Sequence, residues 1–347
     1  AFESGFYDLN QANEAIKKGE NVKLALAKSL FSIWTSQKSF QPFLEYIEAN
    51  KDLPVLGFDN QFSGEFLYEN FENDIQPLIK KEISQTDFEE WLDVVEFMGG
   101  EFYFPKNNDF EVFQKQHSEI ENVVKSKLTN ENKVEIEFKL QLLSNIIHFA
   151  KDYYFNNTGK KTAEEWKAKD SNVRDSLMAS NLIFLANKYP TKKFICWAAN
   201  GHFANKVENL EEEEFQEFNP MGKHIKKEFG DENVYILGFT GNDSLQSKET
   251  RTIEKEFINT GLDYGLLNLK SLPKGSKFTS SCLSIKDAPS LYGEWAKVFD
   301  ALFFVGEIEN RTPYILDFPN LRHEKQTQQP LKITNQSTIP KHYDAVK

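Results

Sequence analysis

One stretch limits the fold of this chain more than any other. Phe194–Ala199 is an unbroken apolar run, with Lys192-Lys193 before it and Asn200-Gly201-His202 directly behind. A short apolar run closed by turn-forming residues predicts a strand buried on both faces of a sheet. The carboxyl ends of such strands are where α/β folds gather ligand-binding side chains. Gly201 lets the backbone turn sharply at that end, which would set His202 over the opening. The helix predicted just before it, over 170–188, has Asp170 or Ser171 as its cap and carries the pair Arg174-Asp175.

The segments on either side fit the same grammar. Ala1–Phe6 reads as the end of a buried strand that brings Glu3 to the sheet rim, and Pro54–Asp59 reads as a second strand ending in a carboxylate. Between them lie predicted helices over 9–18, stopped by Gly19, over 21–30, capped by Asn21, and over 39–49. A strand–helices–strand unit of this kind implies parallel pairing. From about 66 to 169 the pattern is helical almost throughout, with stripes over 87–98, 110–128 and 133–155 and a loop at 156–161. Alternation then resumes: a helix over 221–229 stopped by Gly230, a strand over 233–239, an extended segment over 276–285, a short helix over 294–299 and a strand over 301–308. The expected fold is α/β, a mostly parallel central sheet flanked by helices, with a large helical insertion capping the cleft. The expected division is 1–65 and 170–320 as the two parts of the core, 66–169 as the insertion and 321–347 as a tail.

Composition narrows the function classes. A net charge of −12 leaves no concentrated basic face for phosphates, so nucleic acid is not an expected partner. Thirty-one phenylalanines supply ample material for a core. The acidic run Glu211–Glu214 reads as a solvated loop or helix end. Cys196 and Cys282 lack CxxC spacing, and Cys196 inside the apolar run reads as a packed free thiol. No segment has the apolar length of a membrane span, and no leader precedes the first element, so the expected location is cytoplasmic. The start, Ala1-Phe2-Glu3, reads as a strand already under way, which leads us to expect a preceding segment.

Motif chemistry gives more exclusions than assignments. Neither His-x-x-x-His nor Glu-x-x-His occurs, so no zinc helix is signalled. Gly-x-Ser-x-Gly is absent, which removes the usual serine nucleophile. His117 and His148 fall inside the helical block without a partner pattern, and His224 reads as a surface residue of its helix.

The order of several pieces is more specific than any one of them. Phe2-Glu3-Ser4, Gly57-Phe58-Asp59, Arg174-Asp175-x-x-Met178-Ala179-x-Asn181, Trp197-Ala198-x-Asn200-x-His202 and Met221-Gly222-x-His224 follow in sequence. Gly238-Phe239-Thr240 and Phe299-Asp300-Ala301, followed by Thr312-Pro313, continue the series. Together they resemble the erythromycin esterase family. The resemblance implies an α/β core with helical additions around a deep cleft. It also implies hydrolysis of an ester, a macrolide lactone in the best-known members, by water that a histidine activates; other members carry a label from succinoglycan biosynthesis. Two departures stand out. The family's Gly-Glu followed shortly by His-Gly does not occur in this sequence, and Ala199 stands where the family commonly has the first histidine of His-Asn-x-His.

Under that resemblance the catalytic candidates are Glu3, His202 and Arg174. His202 is either an imidazole that orients water or stabilises an oxyanion, or a rim histidine bonded for structure. Glu3 either tunes a catalytic histidine or closes an ion pair at the sheet edge. Arg174 either reaches a substrate carbonyl or carboxylate or bridges at the helix start, where Asp175 suits the dipole. Asp59, Asp175 and Asn200 are candidates for binding substrate or for orienting those three, with Asp59 alternatively capping the next helix. The expected partner is a small-molecule substrate, with no cofactor. The rival readings are a metal-assisted hydrolase whose ligand set would be Glu3, His202 and the Glu and His of the expected preceding segment, and a carbohydrate- or metabolite-binding protein without chemistry.

Overall fold

A computed structural model describes residues 1–62, 64–241, 251–283 and 290–306. They fall into two compact units. The first comprises 1–160 and 184–197, and the second comprises 161–183 and 198 onward.

The first unit begins with β1 (Phe2–Gly5), which runs straight into α1 (Phe6–Lys17). Gly19 ends that helix region with φ +97°. Asn21 then caps α2 (Val22–Ala27) by accepting the Leu24 N–H at 3.0 Å, as its residue type predicts. After α3 (Ser32–Thr35) and α4 (Gln41–Ala49) the chain enters β2 (Gly57–Asp59), which pairs parallel with β1. A Cβ on Gly57 would run into the carbonyls of Ser4 and Gly5, so glycine is what lets the two strands close up there.

Four helices follow: α5 (Phe66–Ile79), α6 (Gln85–Glu101), α7 (Phe110–Ser126) and α8 (Lys133–Phe155). Ser84 and Asp109 cap α6 and α7 through their side-chain oxygens. Phe102 ends α6 in the left-handed region at φ +58°. Their shared interior is aromatic. The Trp91 and Phe113 rings stack 6.5 Å apart, and Trp91 lies 5.9 Å from both Phe71 and Phe88. The Trp91 indole N–H donates to His117 Nδ1 at 3.3 Å. Burial holds His117 neutral by pushing its pKa down to about 3. Asp8, wholly buried on α1, accepts the Leu67 N–H at the start of α5, while its other oxygen has no hydrogen-bond partner. Burial raises its pKa to about 7. Helix α9 (Asn172–Lys188) contributes its last residues here, Phe184 packing on Phe6 and Phe138.

The apolar run that opened the sequence argument departs from expectation. Residues 194–198 form a single parallel bridge, Phe2 to Trp197, rather than a buried strand. Ala1, Glu3 and Trp197 exchange backbone hydrogen bonds along that edge, so the extended conformation is present. Covering is what differs: Ile195 is 86 % and Trp197 46 % exposed, and Cys196 is half-buried. Alternate side chains point away from the packed face, where Ile195 stays open and Trp197 is met edge-on by the Trp34 ring at 6.3 Å.

The second unit contains α10 (Asn200–Phe203), α11 (Met221–Phe229), β3 (Leu237–Gly241), α12 (Ile253–Asn259), β4 (Tyr264–Asn268), β5 (Phe278–Ser280), β6 (Leu291–Gly293) and β7 (Ala301–Val305). β7 is central to a three-stranded sheet, parallel to β3 and antiparallel to β4, and β5 and β6 form a separate antiparallel pair. Trp295, Phe299, Leu302 and Ile236 centre its core. The described residues are therefore a helix-rich α/β assembly with small sheets, where one mostly parallel sheet had been expected. The strand predicted over 233–239 begins only at Leu237, and the helix predicted over 294–299 is a single 3-10 turn, Trp295–Lys297. The tail at 321–347 lies outside the described residues. No helix among the described residues is long and apolar enough to cross a membrane.

Candidate functional site

Three helix starts of the second unit bring the polar side chains together. Asp175 stands in the first turn of α9 and is fully buried. Its Oδ1 accepts the Met221 backbone N–H at 2.8 Å, so the carboxylate closes the amino end of α11. The positive end of that helix favours a negative charge there. A Cβ on Gly222, the next residue, would collide with the carbonyls of Phe203 and Ala204, so the small residue lets α11 sit against the turn carrying His202.

His202 lies in the short helix α10 and is 1 % exposed. Its Nδ1 is 3.0 Å from both carboxylate oxygens of Asp175, and its Nε2 is 3.2 Å from Nη1 of Arg174. Arg174 is half-buried. The sequence-predicted trio Arg174, Asp175 and His202 is thus a continuous line of hydrogen bonds from guanidinium to carboxylate, with the imidazole between. A carboxylate behind a histidine is the arrangement that fixes a ring's orientation and proton position in hydrolases.

Asn200 faces elsewhere. Its side-chain amide donates to the carbonyl oxygens of Phe239 (2.6 Å) and Cys282 (2.9 Å), and its Oδ1 accepts the Phe239 N–H at 3.0 Å. It ties α10 to β3 and to the segment after β5. Burial pushes the Cys282 thiol well above its ordinary pKa, so no reactive thiolate forms beside it. His224, expected at the surface, is half-buried, and that burial lowers its pKa while the charge of Asp175 opposes the shift.

Glu3 and Asp59 belong to the first unit, where they stand on β1 and at the end of β2. Glu3 is half-buried, and its backbone N–H donates to the Trp197 carbonyl at 2.9 Å. Asp59 is fully buried, and its Oδ1 accepts the Gln61 N–H at 3.1 Å in a side-chain turn at the strand end. Among the described residues no group of three histidine, cysteine or acidic side chains is arranged to hold a metal ion. Sequence reasoning missed the role of the Met221 backbone. The signal available for it was Pro220 before a glycine-containing helix start.

Comparison with known proteins agrees with this architecture. The chain matches a crystal structure of a Bacillus cereus protein with a TM-score of 0.64 at 16 % identity, over 90 % of this chain and 80 % of that one. It matches a succinoglycan biosynthesis protein with a TM-score of 0.63 at 13 % identity, over 90 % and 79 % of the two chains. A mutant of erythromycin esterase EreC in its open conformation matches with a TM-score of 0.50 at 15 % identity, over 90 % and 83 %. These likenesses concern the fold. No curated protein matches the sequence. Residues 1–284 match the model of the erythromycin esterase family, most of the chain, and the protein belongs to that family.

Proposed function

We propose that this protein is an ester hydrolase of the erythromycin esterase type, acting on a macrolide lactone or a comparably bulky ester of small-molecule size. The observation that carries the reading is the line Asp175–His202–Arg174, its carboxylate and imidazole buried, standing within the family match. Ester hydrolysis needs a base to take a proton from water and a donor for the oxyanion that forms as water adds to the carbonyl carbon. The C–O bond then breaks and the leaving alkoxide takes up the proton, giving one carboxylic acid and one alcohol. A guanidinium held in fixed orientation suits the oxyanion, because it keeps its charge at every working pH. Histidine-activated water is the reading for the base. The family resemblance places that histidine in a Gly-Glu…His-Gly motif that this sequence does not contain.

Incubating the full protein with macrolides and a panel of simple esters, with products followed by mass spectrometry, tests the proposal. The expected product has gained one water and carries a new carboxylate. Recovery of every compound unchanged, with and without added divalent metal, would reject hydrolysis and favour a binding protein. Activity abolished by chelator and restored by metal would shift the reading to a metal-assisted hydrolase.

A further inference from the structure

We propose that Asn200-Gly201 is a self-modification site, held in check by the native fold and released by unfolding, at which the chain irreversibly loses the anchor of α10. It is the only Asn-Gly pair in the sequence. In such a pair the glycine backbone nitrogen can attack the side-chain carbonyl carbon of the asparagine, because glycine has no side chain to block the approach and adopts the required backbone angles freely. A bond forms between the Gly201 nitrogen and Asn200 Cγ, and the bond from Cγ to Nδ2 breaks. Ammonia leaves with the proton given up by the attacking nitrogen. Water then opens the cyclic imide at either carbonyl, leaving aspartate or its β-linked isomer at position 200.

Native geometry opposes the first of these steps. Asn200 opens the helical turn α10, and in a helix the side chain leans toward the amino end, away from the following backbone nitrogen. Its amide is also tied at both ends: Nδ2 donates to the carbonyls of Phe239 at 2.6 Å and Cys282 at 2.9 Å, and Oδ1 accepts the Phe239 N–H at 3.0 Å. Those carbonyls are themselves held. One belongs to β3, and the other follows a turn gathered on the buried Glu254, whose Oε1 accepts the Ser280 hydroxyl at 2.6 Å and the Ser281 N–H at 3.1 Å. Bringing Cγ onto the Gly201 nitrogen means giving up all three bonds of the amide while the turn unwinds. Once formed, the product does not fit. An ionised aspartate only accepts, so a charged oxygen would face two carbonyl oxygens where an N–H₂ stood. The β-linked isomer adds a methylene carbon to the main chain at the start of α10 and displaces the turn that carries His202. Chemical change in the unfolded chain thereby makes unfolding irreversible.

The test uses the whole protein and no substrate. One sample is held in mildly alkaline buffer and another in the same buffer with guanidinium chloride. Both are digested at intervals, and position 200 is followed by mass spectrometry, with the aspartate and β-linked peptides separated by retention. A reaction confined to the opened chain is slowed by the folded-to-unfolded ratio, on the order of a thousandfold or more for a typical domain. Position 200 should therefore convert in denaturant ahead of every other asparagine and remain asparagine in buffer over the same period. Equal rates in the two samples overturn the inference, as does conversion in denaturant that is no faster at position 200 than elsewhere. The denatured samples are then refolded by dilution. Chains that regain the native state should retain Asn200, and the aspartate and β-linked forms should collect in the misfolded fraction. Modified chains that refold to the native thermal midpoint overturn the claim of irreversible loss. Should even unmodified chains fail to refold, the two conversion rates decide alone. An absence of esterase turnover leaves all of these results standing.

Discussion

Two buried titratable groups of the first unit should oppose each other in the pH dependence of its stability. Asp8 has a pKa raised by burial from 3.8 to about 7. The folded state then binds the proton more tightly than the unfolded chain. The resulting stability is complete below pH 3.8 and is lost as pH rises through about 7. A shift of roughly three units amounts to about 4 kcal/mol at about 1.4 kcal/mol per unit. His117 behaves oppositely, its pKa lowered by burial from 6.5 to about 3. Its contribution is complete above pH 6.5 and is lost as pH falls toward 3, a total of about 5 kcal/mol on the same conversion. The windows overlap between about pH 4 and 6.5, where the two slopes have equal size and opposite sign.

In that window the native protein should show almost no slope from this pair, and each single variant should expose the other group. Asp8→Asn leaves His117 alone, so stability should rise with pH by about 1.4 kcal/mol per unit. His117→Asn keeps an acceptor for the Trp91 indole and leaves Asp8 alone, so stability should fall by the same amount. Above pH 7 Asp8→Asn should be more stable than the native protein, because an amide N–H₂ replaces the unpartnered, buried Oδ2 of an ionised carboxylate. Urea midpoints read from helical ellipticity across the window measure all three slopes. Three parallel lines would refute the reasoning, since they would mean that neither group changes its proton affinity on folding.

Other expectations are local. Lys226→Met removes the buried ammonium paired with Asp300 at 2.9 Å, leaving that carboxylate to the exposed Lys270 and the Ile236 N–H, and should cost about 3 kcal/mol in urea unfolding. Asn200→Asp turns a carboxylate toward the carbonyls of Phe239 and Cys282 and should cost about 3 kcal/mol, read as a lowered thermal midpoint. Alkylation of the native protein should leave both thiols largely unmodified, because burial raises the pKa of Cys196 and Cys282, and intact-mass spectra should show two additions only after denaturation.

Local chemistry was legible where it is decided locally. Asn21 before Val22 is a cap readable from the sequence, its partner three residues away; Ser84 and Asp109 cap α6 and α7 in the same way but were not read in advance. The parallel pairing of β1 with β2 followed from two short apolar segments separated by helices. The run 194–199 misled because apolar composition indicates a strand without saying how many faces are covered. Ile195, left open to solvent, shows that one face is not. Asp8 left a faint trace, an acid set among Phe6, Tyr7 and Leu9, all buried, where a solvated helix start would show polar neighbours. His117 left none, since a histidine on an apolar stripe looks alike whether or not a Trp N–H reaches it.

The candidate site was half legible for a related reason. Arg174, Asp175 and His202 could be named from the sequence, but the order of their connection could not. It depends on Met221, 46 residues beyond Asp175, giving its N–H to the carboxylate. That bond makes Asp175 an acceptor held on one side by a helix start and on the other by an imidazole. The other ring nitrogen of that imidazole lies 3.2 Å from the Arg174 guanidinium. The amino end of α11 is thus tied through one carboxylate to the imidazole. Converting Asp175 to Asn would keep every atom in place yet offer an N–H toward either Met221 or Nδ1, breaking the sequence of donors at its first or second link. Charge at position 175 therefore fixes how the imidazole is held, although residue 174 is the one whose chemistry suits an ester.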